Sequence, residues 1–288
     1  MPETKSKNNK QKTKTPFAKK SFGQNFLVDE NYINKIISAL DPQPNENIVE
    51  IGAGRGALTE KLIESGANVA AIELEREMIS VLRERFGQND NFQLIESDAL
   101  KVNFDELINP KSEIQNPKLA KLVANLPYYI STAILQRLIE QRAIFSEMIL
   151  MFQREVVERI TAPVGNSERG FLTVLTEAYL EAEKLFDVPP NAFRPAPKVW
   201  SAVVRLKPKE NADVFEENAD LFRKIVSAAF RQKRKTIINN LKNLQIAEEN
   251  WSRILEIAGI DSSRRAESLN LDEWRELLRA SVKQCSKL

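Results

Sequence analysis

The chain has 288 residues, a formal net charge of +2, one cysteine and no histidine. This length suits one large domain with a smaller one, or two domains of moderate size. The missing histidine excludes serine–histidine and cysteine–histidine mechanisms, histidine acid–base catalysis and histidine metal ligands. The single Cys285 excludes an internal disulfide framework and a multi-cysteine zinc site. Any chemistry must therefore use carboxylates, amides, tyrosine, lysine or a cofactor.

The composition also bears on location. No apolar run approaches the roughly 18 residues that span a bilayer. The first residues are polar and lack the apolar core of a secretory signal. One cysteine fits a reducing compartment. We expect a soluble cytoplasmic protein that works without a membrane.

Positive charge is concentrated in two places. Residues 1–20 carry seven lysines against one glutamate, and we expect 1–16 to form a disordered basic tail. A second basic cluster follows Arg223 and Lys224. Two clusters favour a polyanion partner over a solvated tail and an ordinary charged helix face. The second cluster, which we expect to bind RNA phosphates, consists of Arg231, Lys233, Arg234 and Lys235.

The predicted elements begin with a helix that Asp29 caps and Pro42 ends. Short apolar runs then alternate with helical patterns, which is typical of βαβ units and a mainly parallel sheet. The predicted strands cover 47–51, 68–73, 92–96, 119–124 and 148–152.

The pattern changes in the second half of the chain. Residues 178–188 and 199–206 predict two strands joined by a proline-rich turn, which would place one antiparallel strand in the sheet. After residue 207 the pattern is wholly helical, and we place a domain boundary there, between 17–207 and 208–288. The predicted helices lie near 217–230, 234–243, 248–258 and 271–282.

A glycine loop, Glu50-Ile51-Gly52-Ala53-Gly54-Arg55-Gly56, follows the first of these strands. Glycines at a strand-to-helix turn let the backbone approach a ligand closely. Glu73 ends the next strand, where an acid can accept hydrogen bonds from a ribose diol. Asp98 follows the third, where it can accept from an adenine amino group. Each acid alone is more often an ordinary loop carboxylate.

Asn125-Leu126-Pro127-Tyr128 follows the fourth strand. Asn125 offers an oxygen that accepts from an amine, Pro127 restricts the Leu126 backbone, and Tyr128 offers a ring for stacking. Alone, this motif is more often an Asn/Pro turn before a helix. The strand ends together predict an adenosine-containing cofactor beside an amine-binding pocket, through Gly52, Glu73, Asp98 and Asn125.

These motifs resemble the ribosomal RNA adenine dimethyltransferase family of S-adenosylmethionine-dependent enzymes, over nearly the whole chain. The segments that carry the resemblance are 21–29, 50–56, 125–128 and 191–201. It is closest to the bacterial small-subunit members. It implies a Rossmann-like α/β sheet, mostly parallel with one antiparallel strand, and a small all-helical C-terminal domain that binds rRNA.

The resemblance also implies an activity: dimethylation of N6 of two adjacent adenines in the hairpin loop near the 3′ end of 16S rRNA. By position it assigns catalysis to Asn125, Leu126, Tyr128 and Phe193. It assigns the S-adenosylmethionine contacts to Asn25, Leu27, Gly52, Gly54, Glu73, Asp98 and Asn125.

Two positions depart from the family pattern. Asn25 stands where many relatives have histidine, so this role needs a polar contact and no titrating base. Tyr129 stands where many bacterial members have asparagine, which bears on the fit around the base. Trp200, in the last motif, we expect to pack in the core.

Three other functions remain open. The first is a large-subunit rRNA dimethyltransferase of the antibiotic-resistance type. The second is a ribosome assembly factor whose binding matters more than catalysis, a role that can coexist with the enzyme. The third and weakest is a DNA adenine methyltransferase. For the 16S rRNA adenine dimethyltransferase that the resemblance implies, we expect a monomer that acts on small-subunit rRNA in the subunit or its precursor.

Overall fold

The computed structural model describes residues 25–109, 119–210, 213–244 and 251–285. The predicted basic tail and residues 21–24 of the first motif lie outside these ranges. Among the described residues, no helix is long and apolar enough to cross a membrane.

The first part of the chain alternates strands and helices, as predicted. Its elements are β1 Phe26–Leu27, α1 Glu30–Leu40, β2 Asn47–Ile51, α2 Ala57–Glu64, β3 Asn68–Glu73, α3 Arg76–Phe86, β4 Phe92–Glu96, α4 Phe104–Ile108, β5 Ala120–Asn125, α5 Ser131–Glu140 and β6 Phe145–Gln153.

The second part contains the last strands and then only helices. Its elements are α6 Arg154–Ile160, α7 Phe171–Tyr179, β7 Leu180–Val188, β8 Phe193–Arg194, β9 Ser201–Pro208, α8 Asp213–Glu217, α9 Ala219–Ala229, α10 Ile237–Leu241, α11 Trp251–Ile257 and α12 Leu271–Cys285.

Seven strands form one sheet in the order β4-β3-β2-β5-β6-β9-β7. The pairs from β4 to β6 are parallel, and β9 is antiparallel to both of its neighbours. The predicted mostly parallel sheet with one antiparallel strand is therefore confirmed. Because β2, β3, β4 and β5 run the same way, their carboxyl ends share one edge, where a doubly wound sheet binds ligands.

A second, two-stranded sheet was not predicted. In it β1 and β8 pair antiparallel, with Leu27 opposite Phe193. The carbonyl of Ala192 also accepts from the backbone N–H groups of Val28 and Asp29, at 2.9 and 3.3 Å. Strands of two residues have no periodicity to detect. This pairing ties the amino-terminal motif to the last one.

Several predicted boundaries shift. Ala178 and Tyr179 end α7 rather than begin β7, and both belong to a helix that is buried on nearly all sides, which the apolar pattern alone does not distinguish from a buried strand. The predicted helix 217–230 is divided between α8 and α9. The predicted helix 248–258 is described only from Trp251 onward.

The helical region packs on the sheet through α7. One hydrophobic cluster contains Val174 of α7, Phe222 of α9 and Trp274 of α12. The Tyr179 hydroxyl donates to the Phe215 carbonyl at 2.9 Å. Buried Arg169 donates to the Leu269 carbonyl at 3.3 Å. A continuous core thus crosses residue 207, and the proposed boundary there stays a prediction.

Gly56 allows the glycine loop to pack against α3. Its φ is +81°, and a Cβ there would lie 2.3 Å from Phe86 Cε2. Gly56→Ala should lower the free energy of unfolding by about 2–4 kcal/mol, from left-handed strain plus overpacking. Urea unfolding measures this loss.

Gly165 provides the matched control. Its φ is +83°, but a Cβ there meets nothing within 4 Å. Gly165→Ala should lower the free energy of unfolding by the backbone strain alone, about 1–2 kcal/mol. An equal decrease in the free energy of unfolding in the two variants would show that Phe86 does not restrict the side chain at position 56.

Candidate active site

A crevice lies at the carboxyl edge of the sheet, between the glycine loop and the end of β5. It contains two adjoining pockets that share Gly52, Glu73 and Pro127. The second pocket holds Asp98. The first collects eight of the residues singled out from the sequence: Asn25, Leu27, Gly52, Gly54, Glu73, Asn125, Leu126 and Tyr128.

The glycine loop turns through left-handed backbone conformations. Gly52 and Gly54 have φ of +72° and +56°. Gly52 N–H donates to the Ile72 carbonyl at 2.8 Å, and Gly54 N–H donates to Glu73 Oε2 at 2.9 Å. A Cβ on Gly54 would lie 3.2 Å from the Phe26 ring. The loop is therefore held flat against β3 and β1.

Glu73 is fixed by backbone hydrogen bonds. Besides Gly54, the N–H groups of Leu74 and Glu75 donate to its Oε1, at 2.9 and 3.0 Å. A carboxylate has about four acceptor sites, so it can still accept from a ligand. Its side chain lines both pockets. The contact to a ribose diol stays a prediction.

Asp98 and Tyr129 line the second pocket. Asp98 Oδ1 accepts from the Leu100 N–H at 3.0 Å, which fixes the carboxylate after β4. Tyr129 is 64% exposed. Since it lies on the wall shared with Asp98, its departure from the family pattern affects this second pocket.

Glu50 is a site residue that we did not single out from the sequence, although an acid before the glycine loop was the available signal. It is 2% exposed and lines the first pocket. Burial raises its pKa to about 7, helped by the nearby Glu73 charge and opposed by a 2.6 Å hydrogen bond from Thr59 Oγ1. A cationic ligand in this pocket would favour the ionised carboxylate.

The Asn125 amide has a defined orientation. Its Nδ2 donates to the Asn25 carbonyl at 3.3 Å, which leaves Oδ1 to accept from a ligand. The Leu126 N–H donates to the Met151 carbonyl of β6 at 3.4 Å. No hydrogen bond to the Leu126 carbonyl is found among the described residues. Two acceptors are therefore available side by side at the end of β5.

Tyr128 is held from a different strand. Its hydroxyl lies 2.8 Å from Ser201 Oγ, at the start of β9. Burial raises its pKa, an effect that the Ser201 hydrogen bond opposes. Ser131 Oγ donates to the Tyr128 carbonyl at 2.9 Å as α5 begins. The motif 125–128 thus forms a turn before a helix and also lines the first pocket. Ser201 lies in the last motif, but only the structure shows this contact.

Phe193 does not line either pocket. It is 1% exposed and belongs to a hydrophobic cluster with Leu27 and Ala192, because β8 pairs with β1. Stacking of a base on its ring stays a prediction, and it requires the ring to leave this cluster.

The expectation for Trp200 is wrong. We expected core packing, but the side chain is 45% exposed. The reason is positional: Trp200 precedes Ser201, where pairing of β9 with β6 and β7 begins, so neither sheet neighbour covers it.

The second basic cluster lies between α9 and α10, mostly in a turn rather than on one helix face. All four side chains are exposed. Lys233 Nζ donates to the Ser167 carbonyl at 3.3 Å, which ties the cluster to the loop before α7. Within the described residues no group of acidic and cysteine side chains is suited to hold a metal ion.

Comparison with known proteins places this crevice in context. The family model described as "Ribosomal RNA adenine dimethylase" matches residues 17–280. Proteins called "Ribosomal RNA small subunit methyltransferase A" from Clostridium botulinum and Saccharophagus degradans are each 41% identical to the chain. The first match covers 90% of this chain and 92% of the relative, and the second 90% and 93%.

Solved structures agree in fold. A dimethyladenosine transferase from Plasmodium falciparum has a TM-score of 0.75 at 29% identity, covering 90% of this chain and 98% of that one. The 23S rRNA methyltransferase ErmE has a TM-score of 0.64 at 23% identity, covering 89% and 99%.

The raised pKa of Glu50 makes stability depend on pH. Between its ordinary value of 4.5 and about 7, the unfolded chain releases this proton more readily than the folded protein. Stability should therefore fall as pH rises through this window, by about 3 kcal/mol in total. Glu50→Gln should abolish that fall when unfolding by urea is measured without ligand from pH 4 to 8.

Glu84→Gln is the matched control, since it removes an exposed carboxyl on α3. Its stability curve should run parallel to that of the unaltered protein. A Glu50→Gln curve that also ran parallel would contradict the assignment of the pH dependence to Glu50.

Proposed function

Because the chain belongs to the ribosomal RNA adenine dimethylase family, we propose that it is an S-adenosylmethionine-dependent 16S rRNA adenine N6-dimethyltransferase. Its substrate would be two adjacent adenines in the hairpin loop near the 3′ end of that RNA. The observation that carries the proposal is the orientation of Asn125, whose Nδ2 is held by the Asn25 carbonyl at the mouth of the glycine crevice.

The crevice fits S-adenosylmethionine chemically. This cofactor is cationic, and the first pocket contains two buried carboxylates, Glu50 and Glu73. Bound there, it supplies a methyl group already activated by a positively charged sulfur. The residues proposed to hold it are Asn25, Leu27, Gly52, Gly54, Glu73, Asp98 and Asn125.

The acceptor pocket fits an adenine amine. Such an amine is a poor nucleophile, since its lone pair is delocalised into the ring. Asn125 Oδ1 and the Leu126 carbonyl can accept its two N–H groups, which favours a localised lone pair and fixes its direction. Tyr128, held by Ser201, supplies a ring face for a base removed from its stack.

No buried general base is required in this scheme. The nitrogen becomes cationic on attack and loses its proton afterwards, so the reaction depends mainly on positioning. A chain without histidine can therefore perform it. In this scheme the adenine also stacks on the ring of Phe193, which requires Phe193 to become exposed when RNA binds.

The small-subunit substrate is favoured over the large-subunit one by the comparisons. Relatives named for the small subunit are 41% identical over nine-tenths of the chain, whereas the likeness to ErmE, at 23% identity, concerns the fold alone. The proposal makes small-subunit rRNA the partner, in the mature subunit or its precursor. We also propose that the protein is a monomer, is located in the cytoplasm and takes part in ribosome biogenesis.

Primer extension on small-subunit rRNA tests the substrate. Cells that lack this protein should lose the stops caused by dimethylated adenines near the 3′ end, and a plasmid copy should restore them. Unchanged primer-extension stops in the deletion strain would contradict the proposed function.

Asn125→Ala should abolish one of the two proposed acceptor contacts. We expect kcat to fall by about 100- to 1,000-fold, the range for removal of one oriented transition-state hydrogen bond. Binding of S-adenosylmethionine, measured by calorimetry, should weaken far less, because the six other residues proposed to hold the cofactor remain. Full activity in this variant would contradict the mechanism.

Asn68→Ala is the matched control. Asn68 is an exposed asparagine at the amino-terminal start of β3, on the opposite edge of the sheet. Its replacement should leave kcat unchanged.

Reversing the second basic cluster to glutamate should weaken binding to small-subunit rRNA. The dependence of log affinity on log salt should become shallower by about 0.7 for each phosphate that the protein no longer neutralises. The control reverses four exposed cations elsewhere in the helical region, and an equal decrease in affinity in both variants would refute the assignment. The control residues are Arg253, Arg265, Arg279 and Lys283.

A further inference from the structure

Trp200 is unusual among the tryptophans of this chain. The chain has three, and Trp251 and Trp274 are 5% and 1% exposed, whereas Trp200 is 45% exposed. Its neighbour Val199 is 44% exposed. An exposed indole is a large apolar surface left in water, so its position calls for a ligand.

The position of Trp200 is close to the acceptor pocket. Ser201, the next residue, lies 2.8 Å from the Tyr128 hydroxyl. The strand β9 that begins there is two strands from β5, which corresponds to ~10 Å across the sheet. Trp200 therefore stands beside the acceptor pocket, on the side away from the glycine loop.

The chemistry around the ring suits a nucleotide. The Arg154 guanidinium lies over the indole, 6.0 Å from the ring centroid, and its backbone N–H donates to the Trp200 carbonyl at 2.9 Å. Arg154 also pairs with Glu158 at 3.4 Å, which keeps it on this face of α6. Two more exposed cations precede Trp200 in the chain, Arg194 at the end of β8 and Lys198 in the loop that follows. A base can stack on the indole while the Arg154 guanidinium attracts its phosphate.

We propose that Trp200 and Arg154 form a second stacking platform, which holds an unpaired RNA base adjacent to the adenine that enters the Asn125–Tyr128 pocket. This rests on the proposed function, since it requires a single-stranded RNA loop at the acceptor pocket. The platform would fix the position of the loop relative to the acceptor pocket, whichever base is stacked, because every base has a π-face. The unpaired base is preferred over a protein partner because the Arg154 guanidinium lies over the ring and the exposed cations Arg194 and Lys198 precede Trp200 in the chain.

Fluorescence tests the contact directly. The full-length protein is titrated with a protein-free RNA hairpin whose loop contains two adjacent adenines flanked by unpaired nucleotides. Stacking should quench the emission of Trp200, and Trp200→Phe should lose this quenching, because the two remaining tryptophans are buried. Replacing each loop nucleotide in turn with an abasic one should abolish quenching at one position.

Kinetics test the consequence. With small subunits that lack the methylation, Trp200→Ala should raise the KM for the particle by about 5- to 150-fold, the effect of removing one base–aromatic stack. The affinity for S-adenosylmethionine should not change, and Trp200→Phe should bring the KM back close to that of the unaltered protein. Ile257→Ala is the control, since Ile257 is 44% exposed on α11.

The outcomes separate the two proposals. An unchanged KM in Trp200→Ala, with an active unaltered protein, would overturn the platform and leave the proposed function intact. A raised KM without quenching by the hairpin would indicate a ribosomal protein at Trp200 and would also overturn it. If the unaltered protein methylated no particle, the proposed function would fail, while quenching specific to Trp200 would still support the platform.

Discussion

The site depends on the parallel alignment of β2, β3, β4 and β5. Parallel pairing in register brings the four carboxyl ends to one edge. The residues that we propose to bind the cofactor lie at or just after these ends: Gly52, Glu73, Asp98 and Asn125. Buried apolar side chains on both faces of β2, β3 and β5 hold the alignment, whereas β4 is the edge strand and its side chains are only half-buried or exposed. A slip of one residue in any pair would reverse the faces of its side chains, so the core that stabilises the sheet also positions the crevice.

Two contacts outside the parallel strands complete the pocket. The β1–β8 pairing brings Asn25 beside Asn125, where its carbonyl orients the amide. The antiparallel β9 brings Ser201 to the Tyr128 hydroxyl. The acceptor residues come from one four-residue motif, but their orientation is imposed by segments 70 to 100 residues away in the chain. This explains how a mechanism based on positioning can operate without a titrating histidine.

The two buried carboxylates of the crevice suit a positively charged ligand. Glu50 and Glu73 are both largely removed from water, and the Glu73 charge adds to the burial that raises the pKa of Glu50. Three backbone N–H groups stabilise Glu73, whereas Glu50 has the Thr59 hydroxyl. A bound cationic cofactor would lower the free-energy cost of ionising Glu50. The buried carboxylates therefore make the free protein less stable and favour a positively charged ligand.

The sequence by itself determined the order of strands and helices, the one antiparallel strand, and the residues at the strand ends. It could do so because apolar runs and glycine or proline boundaries are local signals. Tertiary structure alone decided the burial of Glu50 and Phe193, the exposure of Trp200, and the contacts of Asn125 and Tyr128. Burial and hydrogen-bond partners depend on which distant segments pack together. The segments that enclose Phe193 and bring Asn25 to Asn125 include two-residue strands, which carry no periodic signal.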